Sequence, residues 1–489
     1  MSKKIAIIGS GFAGLSAATF LAKAGEDVTL YEKNEELGGR ARQFSLDGFT
    51  FDMGPSWYWM PDVFDRYFKK FGYEVKDLYQ LTKLSPSFRI YFGKDNIMNV
   101  PSESTDLFNL FEKIEKGSGE KLEQFLKEAE YKYNVGVNDL IYKPGLTVFE
   151  FANSTIIKGV VKLQVFSSFK KHVRKFFKHP QLIALMEFPI LFLGAMPKNT
   201  PALYSLMNYA GLQLGTWYPD GGFGAVVNAM EKVALENGVK IKKGAAVTQM
   251  PVADKKIKSL VFKDGSEDVD VVVATADYHH IEQEVLEEQY RTYSKKYWDK
   301  RVMAPSSLIF YLGVNKKLTT LEHHNLFFHS DFQQHAVEIY EDPKWPTDPL
   351  FYVCCPSKTD KSVAPENQEN LFILAPIAAG IEDSEELRAE YYLRIMNKLE
   401  AITGESILDH VVVKKSYCRK DFEEDYNSFK GNAYGLANTL TQTALLKPKM
   451  KSNKVSNLYY AGHLTVPGPG VPPSIISGEI AANELLKKS

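Results

Sequence analysis

The segment that most constrains the fold is the first 32 residues, in which a short apolar run leads into a glycine-rich turn. The run KIAII at Lys4–Ile8 is bounded by glycine, which predicts a buried parallel strand. The Ala- and Leu-rich stretch Leu15–Ala24 predicts a helix that ends at Gly25, and Asp27–Tyr31 predicts a second strand. A strand, turn, helix and second strand in this order predict an α/β unit of the Rossmann type.

The turn itself reads GSGFAG, and each of its three glycines has a physical task. Gly9 permits the tight turn, Gly11 lets the backbone approach a pyrophosphate, and Gly14 lets the helix pack closely on the strand. The first turn of the helix adds free N–H groups and a positive dipole. Glu32 ends the second strand, where a carboxylate accepts ribose hydroxyls and repels a 2′-phosphate. The unit therefore predicts a dinucleotide site that disfavours NADP, although it does not separate FAD from NAD.

A second glycine turn favours FAD. Residues 33–54 read KNEELGGRARQFSLDGFTFDMG, in which Gly38 and Gly39 are followed by Arg40 and Arg42. An NAD dehydrogenase has no reason to place this turn directly after the second strand, whereas a larger dinucleotide folded back across the sheet does. Arg40 can supply positive charge near the pyrophosphate. The alternative is a solvated arginine turn without a ligand.

These motifs carry a family resemblance. GSGFAG, ELGGRA and DGFTFDMGPS together resemble the superfamily of flavin amine oxidases and phytoene desaturases. Three further stretches resemble the bacterial-type phytoene/carotenoid desaturases: Met53–Phe64, Gly431–Pro448 and Asn457–Gly478. The resemblance implies an FAD-dependent oxidoreductase of carotenoid biosynthesis that acts on CH–CH bonds. It leaves open the phytoene desaturase type and the branch that desaturates 1-hydroxycarotenoids or γ-carotene at the 3,4 bond.

In this chemistry one hydrogen leaves the substrate as a hydride to the flavin and the other as a proton, so the cofactor performs the difficult step. The sequence contains no Ser/His/Asp arrangement, carboxylate pair or metal-binding motif that would require a catalytic role. It therefore indicates no catalytic residue and no metal ligand. The motifs and the resemblance together predict these cofactor-binding residues: Gly9, Gly11, Ala13, Gly14, Glu32, Lys33, Gly39, Arg40, Met53, Gly54, Pro55, Ser56, Val247, Ala276, Gly462, Val471, Pro472 and Ile475. In the family, Val247 would contact the adenine side through its backbone. His463 stands where many relatives carry a small or acidic residue.

The predicted fold class is α/β, with a discontinuous Rossmann-like FAD-binding domain, a mixed α+β substrate domain and a helical membrane-associating part. The FAD-binding domain is assigned to 1–75, 217–280 and 455–489. The substrate domain is assigned to 76–216 and 281–454.

Several stretches predict the strands of these domains. In the FAD-binding domain, strands are expected at Val239–Lys242 and Ala245–Met250. In the substrate domain, Ser306–Val314, Leu350–Pro356 and Asn370–Pro376 predict a mixed sheet that lines a cavity. The final helix is expected to begin after Pro473.

A segment over 151–197 predicts membrane association. No Asp or Glu occurs from Phe151 to Met186, and its basic residues are Lys158, Lys162, Lys170, Lys171, Arg174, Lys175 and Lys178. Phe166, Phe169, Val173, Phe176 and Phe177 recur at helical spacing opposite the lysines, and Leu182–Pro197 adds apolar residues. This pattern is typical of a basic amphipathic helix in a membrane interface. The alternative is a core helix with a basic solvent face.

Charge and composition restrict the partners. Lys and Arg total 59 against 60 Asp and Glu, so no global charge points to nucleic acid. The absence of a signal segment and of any long apolar run predicts a cytoplasmic protein, peripherally associated with the inner face of the membrane. The expected partners are a carotenoid, a lipophilic polyene, and the membrane surface. No second nucleotide motif suggests an NAD(P) site, so electrons should leave to oxygen or a quinone.

Other functions and residue roles remain open. A flavin amine oxidase would prefer acidic or aromatic-cage groups near the flavin and often a late cysteine, but no cysteine follows Cys418. A non-enzymatic flavin-fold protein such as a prenyl-protein chaperone usually lacks the glycines, and a carotenoid isomerase would use reduced FAD. The aromatic run Trp57–Trp59 suits either a tunnel wall or core packing. The pairs His279–His280 and His323–His324 are typical of a surface or of strand ends.

Overall fold

The computed structural model describes residues 2–487 apart from 147–162, 165–166 and 440. Its strands, in chain order, are β1 Lys4–Ile8, β2 Asp27–Tyr31, β3 Gln43–Leu46, β4 Phe49–Asp52, β5 Leu81–Lys83, β6 Phe88–Gly93, β7 Asn96–Val100, β8 Trp217–Pro219, β9 Lys240–Lys242, β10 Val252–Ala253, β11 Lys256–Ile257, β12 Ser259–Phe262, β13 Gly265–Asp268, β14 Val271–Ala274, β15 Ser306–Val314, β16 His324–Phe327, β17 Phe351–Cys354, β18 Glu369–Ile377, β19 Val411–Tyr417 and β20 Leu458–Tyr460.

The helices surround these strands. In chain order they are α1 Phe12–Lys23, α2 Pro61–Lys69, α3 Ser104–Ile114, α4 Ser118–Val135, α5 Phe169–Phe176, α6 Pro180–Glu187, α7 Leu206–Leu212, α8 Phe223–Glu236, α9 Tyr278–His280, α10 Lys295–Asp299, α11 Phe332–Tyr340, α12 Glu385–Thr403, α13 Arg419–Tyr426 and α14 Val471–Leu486.

A five-stranded parallel sheet forms around the N-terminal unit, in the order β20–β14–β1–β2–β9. The predicted strand–turn–helix–strand unit is present as β1, α1 and β2. Both β1 and β14 are buried along almost their whole length, as their runs of Ile, Val and Ala require of central parallel strands. The sheet thus joins three segments that lie far apart along the chain.

Helices α1 and α14 pack together on one face of this sheet at very short range. A Cβ atom at Gly478 of α14 would lie 2.2 Å from the carbonyl oxygen of Ala13 in α1. Only glycine allows the two backbones to approach so closely. Helix α14 begins at Val471, three residues before the predicted start at Ser474, and Gly470 is its N-cap residue.

A seven-stranded mixed sheet contains the strands predicted for the substrate domain, in the order β19–β15–β18–β17–β16–β6–β7. Its pairings are antiparallel except for the parallel pair of β16 and β6. The predictions of strands at Ser306–Val314, Leu350–Pro356 and Asn370–Pro376 are confirmed by β15, β17 and β18.

The strand predicted at Ala245–Met250 is wrong. This stretch follows β9 without a regular ladder, and a single bridge joins Gln249 to Val261. The reason lies in its backbone bonding, because the N–H of Ala245 donates to the carbonyl oxygen of Glu32 at 2.7 Å. The segment therefore crosses the end of β2 and pairs with β12 at that single bridge instead of forming a regular strand.

The segment predicted to meet a membrane is partly described, since Lys158, Lys162 and Phe166 lie outside the described residues. In α5, Phe169 and Val173 are fully buried. The ring of Phe125 from α4 lies 5.3 Å from Phe176 and 6.0 Å from Phe177. Between positions 167 and 179 the exposed side chains are all basic: Lys171, Arg174, Lys175 and Lys178.

Downstream of α5, apolar side chains between positions 182 and 196 are buried as well, among them Leu182, Leu185, Met186 and Met196. Where it is described, the segment is therefore a core helix with a basic solvent face, which was the alternative interpretation. Among the described residues, no helix is long and apolar enough to cross a bilayer.

Candidate functional site

The candidate site is a cavity of about 820 Å³ that opens at the carboxyl ends of β1, β2 and β14. These ends bring Gly9, Glu32 and Ala276 to one edge of the parallel sheet, which is the usual ligand position in an α/β fold. From there the cavity continues to the seven-stranded sheet, where β15, β17 and β18 contribute side chains to its wall. It therefore has a glycine-rich end and an aromatic end.

Two glycine turns form the first end. Gly9 has a φ of +100° and Gly38 a φ of +101°, which are conformations that glycine adopts without strain. A Cβ atom at Gly39 would lie 3.3 Å from the Cα of Gly11, so the two turns nearly touch. A Cβ at Gly11 would meet no described atom within 4 Å, because that side of the turn faces the cavity. The turns thus leave the backbone open to a bulky anionic group, as the sequence predicts for a pyrophosphate.

Glu32 is held in place at the end of β2. Its Oε2 accepts hydrogen bonds from the Ser10 backbone N–H at 2.9 Å and the Ser10 hydroxyl at 2.6 Å. Its Oε1 accepts from the Asn34 backbone N–H at 2.9 Å. These bonds keep the carboxylate at the cavity wall with lone pairs remaining for a ribose hydroxyl.

Arg40 is half-buried on the cavity wall beside Asp277 and His463, and its Nε atom is fully buried. Its guanidinium donates to the Ser428 hydroxyl at 3.0 Å and the Asn432 carbonyl at 3.3 Å, while its Nε has no partner among the described residues. Burial lowers the pKa of Arg40, and it raises the pKa of Asp277 to about 6. The Nε2 atom of His463 lies 3.8 Å from Asp277, and burial together with Arg40 lowers the pKa of this histidine.

A cationic guanidinium with an unpartnered buried N–H suits a phosphate at this point of the wall. The residues present therefore fit a flavin dinucleotide. The glycine turns would receive its pyrophosphate, Glu32 its ribose, and Arg40 would add positive charge nearby.

Most of the predicted cofactor residues line this one cavity. They are Gly9, Gly11, Ala13, Glu32, Lys33, Gly39, Arg40, Met53, Gly54, Pro55, Ser56, Val247, Ala276, Gly462, Val471 and Pro472. Gly14 does not line the wall, and a Cβ there would lie 2.0 Å from the Gly9 carbonyl oxygen, so its role is packing, as expected. The side chain of Ile475 is buried in the hydrophobic core away from the wall, which does not support its predicted contact with the cofactor.

The aromatic end of the cavity contains residues that the motifs did not reveal. Its wall is formed by Phe188, Phe328, Phe332, Leu350, Tyr352, Phe372 and Leu374 together with Trp57 and Trp59. Trp57 and Trp59 thus belong to the wall, whereas Tyr58 is buried, with its hydroxyl 2.9 Å from that of Tyr79. The alternation of β17 and β18 predicted a cavity-lining sheet, but sequence alone could not choose which residues face inward.

Asp52 positions α8 next to the site. Its carboxylate accepts hydrogen bonds from the backbone N–H groups of Phe223 at 3.0 Å and Gly224 at 3.3 Å, in the first turn of the helix. Gln43 donates to it at 2.7 Å. Burial raises the pKa of Asp52 to about 6 despite these bonds, which act in the opposite direction.

Comparison with known proteins gives consistent matches. The family model described as "Flavin containing amine oxidoreductase" matches residues 12–486. The chain is 41% identical to a carotenoid 3,4-desaturase of Haloarcula japonica, over 99% of this chain and 98% of the relative. It is 29% identical to a zeta-carotene-forming phytoene desaturase of Myxococcus xanthus, over 99% and 94%. A solved oxidoreductase from Methanosarcina mazei matches 99% of this chain and 100% of its own, with a TM-score of 0.61 at 17% identity, and so shares the fold.

Proposed function

The chain belongs to the flavin-containing amine oxidoreductases, in the group of the carotenoid desaturases, and from this premise we propose that it desaturates a carotenoid at the 3,4 bond. The family resemblance and the FAD cofactor predicted from the motifs are confirmed by these matches. The choice of bond is supported by the higher identity to the 3,4-desaturase, 41%, than to the phytoene desaturase, 29%. A phytoene-type substrate is the runner-up.

When bound, FAD would supply the hydride acceptor for one hydrogen of the substrate bond. The task of the protein is to hold a long apolar chain in place against the cofactor and to exclude water. We assign cofactor binding to the predicted residues on the glycine-rich end, and substrate binding to the aromatic end. The division into an FAD-binding domain (1–75, 217–280 and 455–489) and a substrate domain is proposed on the same basis, because the five-stranded sheet draws its strands from the first set of segments and the seven-stranded sheet from the second.

The observation that carries the choice of substrate is the distribution of charge in the cavity. Four carboxylates line it, namely Glu32, Asp277, Glu284 and Asp425. Glu32 belongs to the ribose position, Asp277 lies beside Arg40, and Asp425 pairs with Arg42 at 2.5 Å. None of the four stands among the phenylalanines of the aromatic end that the structure describes. A cationic amine would lack a counter-ion there, whereas a polyene needs none.

The experiment that tests the function is expression of the chain in bacteria that accumulate phytoene and, separately, a 1-hydroxylated γ-carotene. A new double bond in conjugation with the polyene moves the pigment absorption to longer wavelength. We expect the shift with the hydroxylated carotene and none with phytoene. A shift with phytoene alone would favour the runner-up, and no shift with either, from a chain that contains FAD, would contradict the carotenoid function.

The exposed basic side chains Lys171, Arg174, Lys175 and Lys178 support a second proposal, peripheral contact with an anionic membrane. An apolar substrate is stored in lipid, so docking at its surface would shorten the transfer. Co-sedimentation with phosphatidylglycerol vesicles should fall in a variant with Lys171→Glu and Lys175→Glu. A variant with Lys414→Glu and Lys415→Glu, on strand β19, serves as the control. Equal binding by both variants would remove the support.

The electron acceptor is proposed to be oxygen or a quinone. Among the described residues, the glycine turn at Gly9–Gly14 is the one dinucleotide motif found, and it is assigned to FAD. Product formation under anaerobic conditions, with and without an added quinone, separates the two acceptors. Turnover that requires NAD(P)⁺ instead would contradict both.

A further inference from the structure

A pair of histidines at the start of β16 is buried, although such pairs are common on surfaces. His324 is fully buried and its ring stacks on Trp57, with 4.1 Å between ring centroids. The ring of His323 lies 4.5 Å from that of His324. Each Nδ1 is hydrogen-bonded to a hydroxyl group. The Nδ1 of His324 lies 2.6 Å from the Tyr352 hydroxyl oxygen, and that of His323 lies 2.7 Å from the Thr359 hydroxyl oxygen. Neither Nε2 has a partner within the part of the chain that is described.

Tyr352 connects this pair to the cavity. Its side chain lines the wall, and its hydroxyl lies 2.9 Å from the hydroxyl of Ser56, which also lines the wall. Ser56 follows Gly54 and Pro55, the predicted cofactor residues. The Tyr352 oxygen therefore stands where the cofactor end and the aromatic end of the cavity meet, with a histidine nitrogen directly behind it.

The other histidine on the aromatic wall is bonded differently. The Nδ1 of His335 accepts from the Leu350 backbone N–H at 3.1 Å, and its Nε2 lies 2.9 Å from the Pro376 carbonyl oxygen. Both nitrogens are occupied, so His335 cannot take up a proton without losing a backbone bond. His324 faces a hydroxyl group that can itself turn and donate. Burial keeps both His323 and His324 uncharged, since it lowers their pKa values, that of His323 to about 3.

Desaturation releases one proton inside an apolar chamber for each double bond formed. We propose that Tyr352 accepts this proton and that His324 and His323 conduct it away from the cavity. The inference rests on the proposed function, because a chain that formed no double bond would release no such proton.

The step balances as follows. After one hydrogen has left the substrate with its electron pair, the neighbouring C–H bond breaks, and its electrons become the second bond of the new C=C. The proton moves to the Tyr352 oxygen while the Tyr352 hydroxyl proton moves to Nδ1 of His324, so the tyrosine stays neutral and the imidazole becomes cationic. An allylic cation is a strong acid, so a weakly basic neutral imidazole suffices.

The route to solvent continues through His323, and one of the two rings must turn for the transfer, because no hydrogen bond joins them. Its Nδ1 contacts Thr359, which is half-buried and precedes Asp360. The negative charge of Asp360 acts on His323 to favour its protonated form, against the effect of burial on its pKa. A proton on the histidine pair therefore has a carboxylate to move toward, whereas the aromatic wall, as described, offers none.

Three variants of the FAD-loaded enzyme test the route. Tyr352→Phe removes the hydroxyl, His324→Phe keeps a ring on Trp57 without nitrogens, and Tyr391→Phe is the matched control. Tyr391 is a buried tyrosine outside the cavity whose hydroxyl donates to the Pro346 carbonyl at 2.9 Å. The measurements are the single-turnover rate of product formation in H2O and D2O, the KM for the carotenoid, and the bound FAD content.

For Tyr352→Phe and His324→Phe we expect the single-turnover rate to fall on the order of a hundredfold. We also expect the solvent isotope effect of the wild type to be lost, with KM and FAD content unchanged and Tyr391→Phe like the wild type. Wild-type rates and isotope effects in Tyr352→Phe would overturn the route while leaving the proposed function intact. A wild type inactive on every carotenoid would refute the function and the route together.

Elemental analysis of the purified protein adds an independent check. His323, His324 and Cys354 present ligand atoms within 4.8 Å of one another. A stoichiometric zinc content would mean that these residues bind a metal, and it would overturn the proton route. We expect none.

Discussion

Replacing either of two glycines in one turn by alanine should have different effects: one substitution should destabilise the fold, and the other should weaken FAD binding. A methyl group at Gly14 would lie 2.0 Å from the Gly9 carbonyl oxygen and 2.7 Å from the Thr275 hydroxyl. Ordinary carbon–oxygen contacts begin at about 3.3 Å. The neighbour at 2.0 Å is backbone and cannot rotate away, so the turn itself must move. We expect Gly14→Ala to lower the free energy of unfolding by about 3 kcal/mol, the upper part of the usual range for overpacking.

Gly11→Ala should leave the fold intact. Gly11 has a φ of −63° and a ψ of 175°, which any residue adopts, and its Cβ would meet no described atom within 4 Å. The methyl group would instead occupy the cavity at the expected pyrophosphate position. Displacing a phosphate from two backbone N–H groups loses about 1.5–3 kcal/mol for each hydrogen bond. FAD affinity should therefore fall by on the order of a hundredfold or more.

The assay compares both variants with the wild type by thermal unfolding without FAD and by titration with FAD, followed by flavin fluorescence. Gly14→Ala should unfold earlier, and Gly11→Ala should unfold like the wild type but bind FAD weakly. Wild-type affinity in Gly11→Ala would refute the placement of the pyrophosphate over this turn. Wild-type stability in Gly14→Ala would refute the packing role of that glycine.

Further predictions concern the cofactor end and the helices that flank it. Glu32→Gln should weaken FAD binding about tenfold, because a charge-assisted hydrogen bond to the ribose becomes a neutral one. Titration with FAD measures the affinity, and an unchanged value would place the ribose elsewhere. Because the pKa of Asp52 is raised to about 6 in the folded protein, its contribution to stability is complete below the unfolded pKa and is lost as pH rises through about 6. Urea unfolding should therefore show a smaller loss of stability between about pH 4 and pH 6 in Asp52→Asn than in the wild type, by at most about 3 kcal/mol; identical profiles would contradict the raised pKa. Gly478→Ala should lower the melting temperature, since its methyl group would lie 2.2 Å from the Ala13 carbonyl oxygen.

The parts of the fold that sequence predicted well are those governed by local chemistry. The Rossmann unit follows from residues within 32 positions, where apolar runs and obligatory glycines leave little choice. The strand prediction for Ala245–Met250 was wrong because the alternation of apolar residues there resembles that of a strand. The backbone N–H of Ala245 in fact donates a hydrogen bond to a residue more than 200 positions away. The periodicity of apolar residues along the sequence cannot predict such a tertiary hydrogen bond.

In the cavity, too, the residues set by local chemistry were predictable and those set by tertiary structure were not. Glycines and Glu32 were predictable because the backbone turn and the ribose demand those residue types. Tyr352 and His324 carry no motif, and only the pairing of β16 with β17 brings them together. The amphipathic pattern of α5 was read correctly as basic on one side, but a pattern cannot say whether protein or lipid covers the apolar side. In the described residues it is protein.

In the parallel sheet at the proposed cofactor site, the spatial order of the strands differs from the order in which they are synthesised. β1 is made first, and its two neighbours are β2, made soon after, and β14, made some 265 residues later, while β20 and α14 follow almost two hundred residues after β14. The ribosome must therefore finish the whole seven-stranded sheet before it makes β20 and α14, which complete the proposed cofactor site. Until then α1 exposes the surface that α14 covers in the finished fold, and we expect FAD to bind only after synthesis of the C-terminal segment.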